Sequence, residues 1–229
     1  MLLIWAVPLF GLLLILAAFY NKLTPLTVSQ KFNNQPAGEI QGSFSVGQTF
    51  YSPYPGLNSI DVLLATYQKQ ISGQVTFNLT EGPPDGTKLA SISFDAASVE
   101  DNRFRSMEFP SLDESAGKTY FFSLEAPASR PGNAITAWTD SHNPYPEGMA
   151  YLGGNPVEND LAFVAYFQPS PWQLADIYLD RLARGKPGLW GNKAFYAVIS
   201  LLYLALLGTF LAVFLRKAMG EGQEWRPRK

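Results

Sequence analysis

Asp140-Ser141-His142-Asn143 contains the only histidine of this 229-residue chain. Serine, histidine and aspartate are the parts of a nucleophilic triad, but a triad needs the three groups to converge in space. Neighbours on one loop do not supply that convergence, so a solvated loop histidine is the expected reading. Asp113-Glu114-Ser115 sets two carboxylates side by side, yet its surroundings read as a turn between strands. Gly153-Gly154-Asn155 lacks the spacing of a phosphate-cradling loop. Asn78-Leu79-Thr80 matches a glycosylation sequon but falls within a run that reads as a strand. With 0 cysteines, the chain has no disulfide, thiolate metal site, cysteine nucleophile or iron–sulfur cluster. A single histidine excludes a multi-histidine zinc or redox centre. A net charge of −2 gives no footprint for nucleic acid. The expectation is a chain without catalytic residues, metal or cofactor.

The better candidate for binding is aromatic. Trp138, Asp140, His142, Asn143 and Tyr145 lie in one strand-to-loop segment, with Tyr151 close behind; Tyr51 and Tyr54 occupy another turn. Exposed rings can stack on a pyranose face while carboxylate, amide and imidazole groups bond its hydroxyls. The plainer reading, which is favoured, makes Trp138 a core residue and the tyrosines loop packing.

Strands must position these residues. Every second residue is inward-facing in character in several runs: Phe44, Val46, Gln48, Phe50; Ile60, Val62, Leu64; Val75, Phe77, Leu79; Ala90, Ile92, Phe94; Tyr120, Phe122, Leu124; and Leu161, Phe163, Ala165, Phe167. Period-2 alternation of this kind marks strands with one buried face. Turn-forming clusters separate them, among them Pro53-Tyr54-Pro55-Gly56, Gly82-Pro83-Pro84-Asp85-Gly86, Pro131-Gly132-Asn133 and Gly153-Gly154-Asn155-Pro156. No helix-period segment interrupts the series. The expected fold is mainly β, an antiparallel sandwich of the jelly-roll type over residues 44–169. Residues 22–43 read as a polar linker with room for one early strand.

The two ends of the chain carry uncharged apolar stretches, 19 residues from Leu2 to Tyr20 and 22 from Ala194 to Leu215. At about 1.5 Å rise per residue, each can cross a bilayer core of roughly 30 Å. The expected division is therefore a transmembrane helix at 1–21, an uncleaved anchor, and a second at 193–215 with a basic tail at 216–229. Arg216 and Lys217 follow the second stretch directly, and the positive-inside rule places that tail in the cytoplasm. Both termini then lie inside and the sandwich outside. Between sandwich and second span, residues 170–185 read as an amphipathic helix capped by Ser170. It carries Trp172, Ala175, Leu179 and Leu182 on one face and an Asp180–Arg184 pair on the other. It is expected to lie in the interface with Trp172 and Trp190 at headgroup level; the competing reading packs its apolar face on the domain.

Several stretches of the middle segment resemble a known module. They are Gly47-Gln48-Thr49-Phe50, Gly56-Leu57-Asn58-Ser59-Ile60-Asp61-Val62, Ser72-Gly73-Gln74-Val75, Phe109-Pro110 with Ser115-Ala116-Gly117-Lys118-Thr119-Tyr120, Gly132-Asn133-Ala134-Ile135-Thr136-Ala137-Trp138, and Asp160-Leu161-Ala162-Phe163. The segment is similar to the galactose-binding-like jelly-roll domain that accompanies bacterial membrane glycosyltransferases and envelope proteins. These are strand and turn signals, so the resemblance implies a fold and leaves activity to a partner. It leaves a structural calcium open, although no ligand loop of suitable spacing is present.

In the second span Tyr196, Ser200, Tyr203, Leu207, Phe210 and Phe214 form a stripe, and Gly208-x-x-x-Ala212 is a small-xxx-small pair that lets helices approach closely. No ionisable side chain interrupts either span, which argues against an ion or proton path. The stripe suits contact with other integral membrane subunits, a lipid chain or a carotenoid. The leading expectation is an accessory, scaffolding subunit of a larger bacterial membrane complex, respiratory, photosynthetic or for envelope glycosylation. The alternative is a membrane-anchored carbohydrate-binding module for envelope glycans.

Overall fold

The computed structural model describes residues 26–221, which fall into a β unit ending at Ser170 and a helical unit beginning at Pro171. The expected first span at 1–21 lies outside the described residues.

The β unit has thirteen strands: β1 Thr27–Gln30, β2 Gln35–Pro36, β3 Val46–Ser52, β4 Leu57–Ala65, β5 Gln74–Glu81, β6 Thr87–Asp95, β7 Arg103–Leu112, β8 Lys118–Glu125, β9 Thr136–Asp140, β10 Ala150–Leu152, β11 Asn155–Val157, β12 Asp160–Leu161 and β13 Phe163–Phe167. They form two antiparallel sheets that make a sandwich. In the seven-stranded sheet β4 is central. β7 pairs along one edge of it, while β13 and then β9 pair along the other. The six-stranded sheet runs β11-β10-β3-β8-β5-β6. The chain changes sheet after β2, β3, β4, β6, β7, β8, β9 and β11. Sequence neighbours therefore end on opposite faces of the molecule.

The alternation read from the sequence is the core. Val46, Gln48 and Phe50 of β3, Val75, Phe77 and Leu79 of β5, and Tyr120, Phe122 and Leu124 of β8 are each at most 1% exposed. They meet Ile60, Val62, Leu64, Phe163 and Ala165 from the other sheet, all fully buried. Ala90 and Ile92 are only half-buried because β6 is an edge strand. The segment read as a linker contains β1 and β2. β1 pairs with β13 from Thr27↔Tyr166 to Gln30↔Phe163, and β2 with β9 at Gln35↔Thr139 and Pro36↔Trp138. These strands are too short and too polar to show a period.

Gly56 closes the β3–β4 turn. Its φ is +80°, and a Cβ there would lie 2.5 Å from the backbone oxygen of Gln168. Its N–H donates to Leu112 O and its carbonyl accepts from Gln168 N at 2.7 Å. Gly56→Ala combines left-handed strain with a backbone clash, and is expected to cost about 2–4 kcal/mol. Urea unfolding followed by tryptophan fluorescence measures it.

In the helical unit α1 spans Pro171–Ala183 and α2 spans Lys193–Glu221, joined by a 3-10 turn at Gly188–Gly191. The Asp180–Arg184 pair forms at 2.7 Å, and Lys193 Nζ donates to Asp176 Oδ1 at 2.6 Å. The covered side of α1 centres on Tyr178 and Ala183, whereas Trp172 is 86% exposed and Ala175 is exposed. Trp190 is exposed and meets the Phe195 ring edge-on at 5.1 Å. α2 is long and apolar enough to cross a membrane over Lys193–Lys217.

Candidate functional site

The six residues proposed for ligand binding do not form one site. Trp138 is on β9 of the seven-stranded sheet, and Tyr151 is on β10 of the six-stranded one. Trp138 neighbours the fully buried Ala137 in β9 and points the other way, to the outer face of its sheet, where it is half-buried. Its indole Nε1 donates to Asn102 Oδ1 at 2.8 Å. Asn102 is held left-handed at φ +57° and also donates to Asp101. The expectation that Trp138 is a core residue is thus replaced by a fixed ring on the sheet surface.

Asp140, His142 and Asn143 close the end of β9. Asp140 Oδ1 accepts from His142 N at 2.8 Å and lies 2.9 Å from His142 Nδ1. Hydrogen bonding to His142, led by the backbone N–H, holds the Asp140 carboxyl below its usual range. Ser141 Oγ accepts from Asn34 Nδ2 at 3.0 Å and is turned to that amide. His142 is exposed on a capped loop end, as read from the sequence. Asn143 is exposed with φ +49°, a turn-forming position.

Tyr145 belongs to the interior. It is 8% exposed, and its ring meets Phe163 edge-on at 5.5 Å. Its hydroxyl accepts from Tyr51 N at 3.1 Å, and burial pushes the phenol up to about 12. Its own N–H donates to Asp160 Oδ2 at 2.7 Å. Asp160 is fully buried and also accepts from Gln48 Nε2 at 2.9 Å, while Gln48 Oε1 accepts from Leu161 N. Burial raises the Asp160 carboxyl against the lowering effect of these bonds. This network was missed; the inward position of a polar residue, Gln48, among apolar neighbours was its signal.

Tyr151 alone lines a cleft. About 480 Å³ in volume, it lies on the outer face of the six-stranded sheet, between Thr49, Thr119, Gly82–Pro83 and the 146–149 loop. Tyr151 is braced edge-on by Phe121 at 5.2 Å. The loop is pinned: Thr49 N donates to Met149 O, and Met149 N donates to Thr49 Oγ1. A Cβ on Gly148 would overlap the carbonyl oxygen of Thr49, so the close approach of loop to strand requires glycine. The cleft offers a supported ring, the Thr119 hydroxyl and the exposed Glu147 carboxylate. Such a set bonds a neutral polyhydroxyl ligand better than it performs chemistry on it.

No protein-family model and no curated protein matches the chain. Solved structures are similar to it, among them two at 12% identity. One is a carbohydrate-binding module from Clostridium stercorarium in complex with cellobiose, with a TM-score of 0.31 over 63% of this chain and 93% of that one. The other is a carbohydrate-binding module of the type called CBM36, in complex with calcium and xylotriose, with a TM-score of 0.29 over 60% and 96%.

In α2, Tyr196, Tyr203, Leu207 and Phe210 of the stripe are half-buried, while Ser200, Gly208, Ala212 and Phe214 are exposed. Lys186 Nζ donates to Tyr196 Oη at 3.0 Å. A Cβ on Gly208 would meet nothing within 4 Å, so the notch is open.

Proposed function

We propose that this chain is a non-catalytic accessory subunit of a larger bacterial membrane complex. It is anchored in the bilayer with both termini cytoplasmic, and its jelly-roll-type sandwich braces the complex on the extracytoplasmic side. The observation that carries this reading is α2. It is apolar on every side from Ala194 to Leu215, and none of its residues is more than half-buried among the described residues. Such a surface needs lipid or apolar partner helices around it. The basic Arg181, Arg184, Lys186 and Lys193 at its start, with Trp172 and Trp190 exposed beside them, suit the headgroup region.

Gly208 gives the test. Gly208→Leu enters a notch in which an added Cβ meets nothing within 4 Å. It is expected to leave the Tm of the sandwich unchanged while lowering recovery of partner subunits in a native pull-down by about ten-fold, a loss of roughly 1.4 kcal/mol of helix contact. Undiminished recovery would count against docking through this face.

The second reading, a membrane-anchored carbohydrate-binding module for envelope glycans, is favoured by the cleft beside Tyr151. On that reading Tyr151→Ala weakens glycan retention on an array roughly ten-fold with an unchanged Tm. Tyr145→Ala is no test of it, because Tyr145 is a core residue whose loss lowers stability. Failure of the wild type to retain any glycan would remove this reading.

A further inference from the structure

The loop between α1 and α2 holds a cation that has no counter-charge among the described residues. Arg184 is paired with Asp180, and Lys193 with Asp176. Those pairs use both acidic side chains of residues 171–193, where four basic side chains stand. Lys186 forms no ion pair among the described residues. Its ammonium donates to Tyr196 Oη at 3.0 Å and lies 5.0 Å from the centre of the Tyr196 ring. An ammonium carries three N–H groups, and the other two meet no acceptor among the described residues.

The backbone fixes Lys186 from two sides. Its N–H donates to the carbonyl of Ala183, the last residue of α1, at 3.2 Å. A Cβ on Gly191 would overlap the carbonyl oxygen of Lys186, so the loop closes on itself only with glycine there. α2 starts two residues later, capped by Asn192, whose Oδ1 accepts from Ala194 N at 2.9 Å. The first turn of α2 thereby comes within reach of the ammonium. Rings wall this seat. Trp190 meets Phe195 edge-on at 5.1 Å, and Phe195 meets Tyr196 edge-on at 5.5 Å. Leu189 and Trp190 are exposed beside it. So is Ile199, which lies three residues on from Tyr196 and therefore on the same face of α2. The surface has two parts, a fixed positive charge and an apolar strip leading away from it.

We propose that Lys186, held on Tyr196, seats the phosphate of an anionic phospholipid whose acyl chains run along α2. The two non-bridging oxygens of a phosphodiester accept the two remaining N–H groups in charge-assisted bonds. The net negative charge of such a lipid answers the excess of basic side chains, whereas a zwitterionic lipid cancels its phosphate with its own ammonium. The acyl chains cover apolar surface that the chain leaves bare. Inorganic phosphate, or a carboxylate from a partner, matches the charge but leaves Leu189, Trp190 and Ile199 uncovered. The proposal rests on the membrane-anchored reading and is independent of docking to other subunits.

The test uses the full chain in mild detergent, with native mass spectrometry after addition of dioleoyl-phosphatidylglycerol or dioleoyl-phosphatidylcholine. Wild type should retain one phosphatidylglycerol in preference to phosphatidylcholine by about five-fold, the effect of one lysine near a phosphate. Lys186→Gln should lose that preference at unchanged Tm, since Lys186 is exposed. Tyr196→Phe, which leaves the ring and removes the hydroxyl, should lose part of it. Lys217→Gln, an equal change of charge at the other end of α2, should keep it. Equal retention of the two lipids by wild type, a preference that survives Lys186→Gln, or an equal loss in Lys217→Gln overturns the proposal. Displacement of the lipid by excess inorganic phosphate also overturns it, in favour of a free-anion site. Alkaline carbonate extraction of native membranes separates the two failures. A chain that stays in the membrane but shows no lipid preference removes this proposal alone, and a chain that is released removes the anchored reading with it.

Discussion

Phe163→Ala is expected to remove about 3–5 kcal/mol of stability, a large share of the roughly 5–15 kcal/mol that holds a typical domain together. Phe163 is fully buried on β13, and its ring lies 5.7 Å from Phe50, 5.6 Å from Phe122 and 5.5 Å from Tyr145. Phe50 and Phe122 belong to the opposite sheet, so this one ring joins the two layers. Its loss leaves a cavity between sheets that hydrogen bonding within each sheet cannot close. Phe163→Leu should cost about half as much, because most of the volume remains. Urea midpoints of the three proteins decide the point. Similar midpoints for wild type and Phe163→Ala would mean that the sheets are held elsewhere.

The second large effect lies at Asp160. Asp160→Ala strands two buried donors, Tyr145 N–H and Gln48 Nε2, and should cost about 2–5 kcal/mol. Asp160→Asn keeps one acceptor and should cost less. The carboxyl is raised in the folded state, so its favourable contribution is full below the unfolded value of about 3.9 and is lost as pH rises through the folded value. The stability advantage of wild type over Asp160→Asn should therefore shrink as pH is raised from about 4 towards neutrality. Asp140 is lowered and works in the opposite sense, giving a contribution present above its unfolded value and lost as pH falls through the folded one. Thermal unfolding of wild type and Asp160→Asn across this range checks the sign. An advantage that grows with pH contradicts the raised carboxyl.

The core was legible because its signal is local. Inward positions such as Val75, Phe77 and Leu79 recur with a period of two wherever one sheet face is buried, and a one-residue slip would expose all of them. β7 was not legible. Its buried Met107 and Phe109 are interleaved with Arg103, Arg105 and Pro110, which an edge strand tolerates because one side of its backbone is unpaired. Arg105 even lies over the Phe94 ring at 4.1 Å, a contact between edge strands of the two sheets that no local pattern encodes. The candidate site failed for a related reason. Trp138 and Tyr151 are 13 positions apart, but the chain crosses from one sheet to the other between them. Proximity in sequence then produced two surfaces and a core tyrosine in place of one pocket. The network of Gln48, Tyr145 and Asp160 is the converse, three separate segments that only the two-sheet fold brings together.

The central claim is that the chain works as a docked subunit. It is tested most directly by the mass at which it migrates after native membranes are extracted with a mild detergent and separated on a density gradient or native gel. The account predicts co-migration with other integral membrane proteins, well above the 25.3 kDa of the chain and its detergent shell. A single band at the mass of the free chain, across several mild extractions, would contradict it.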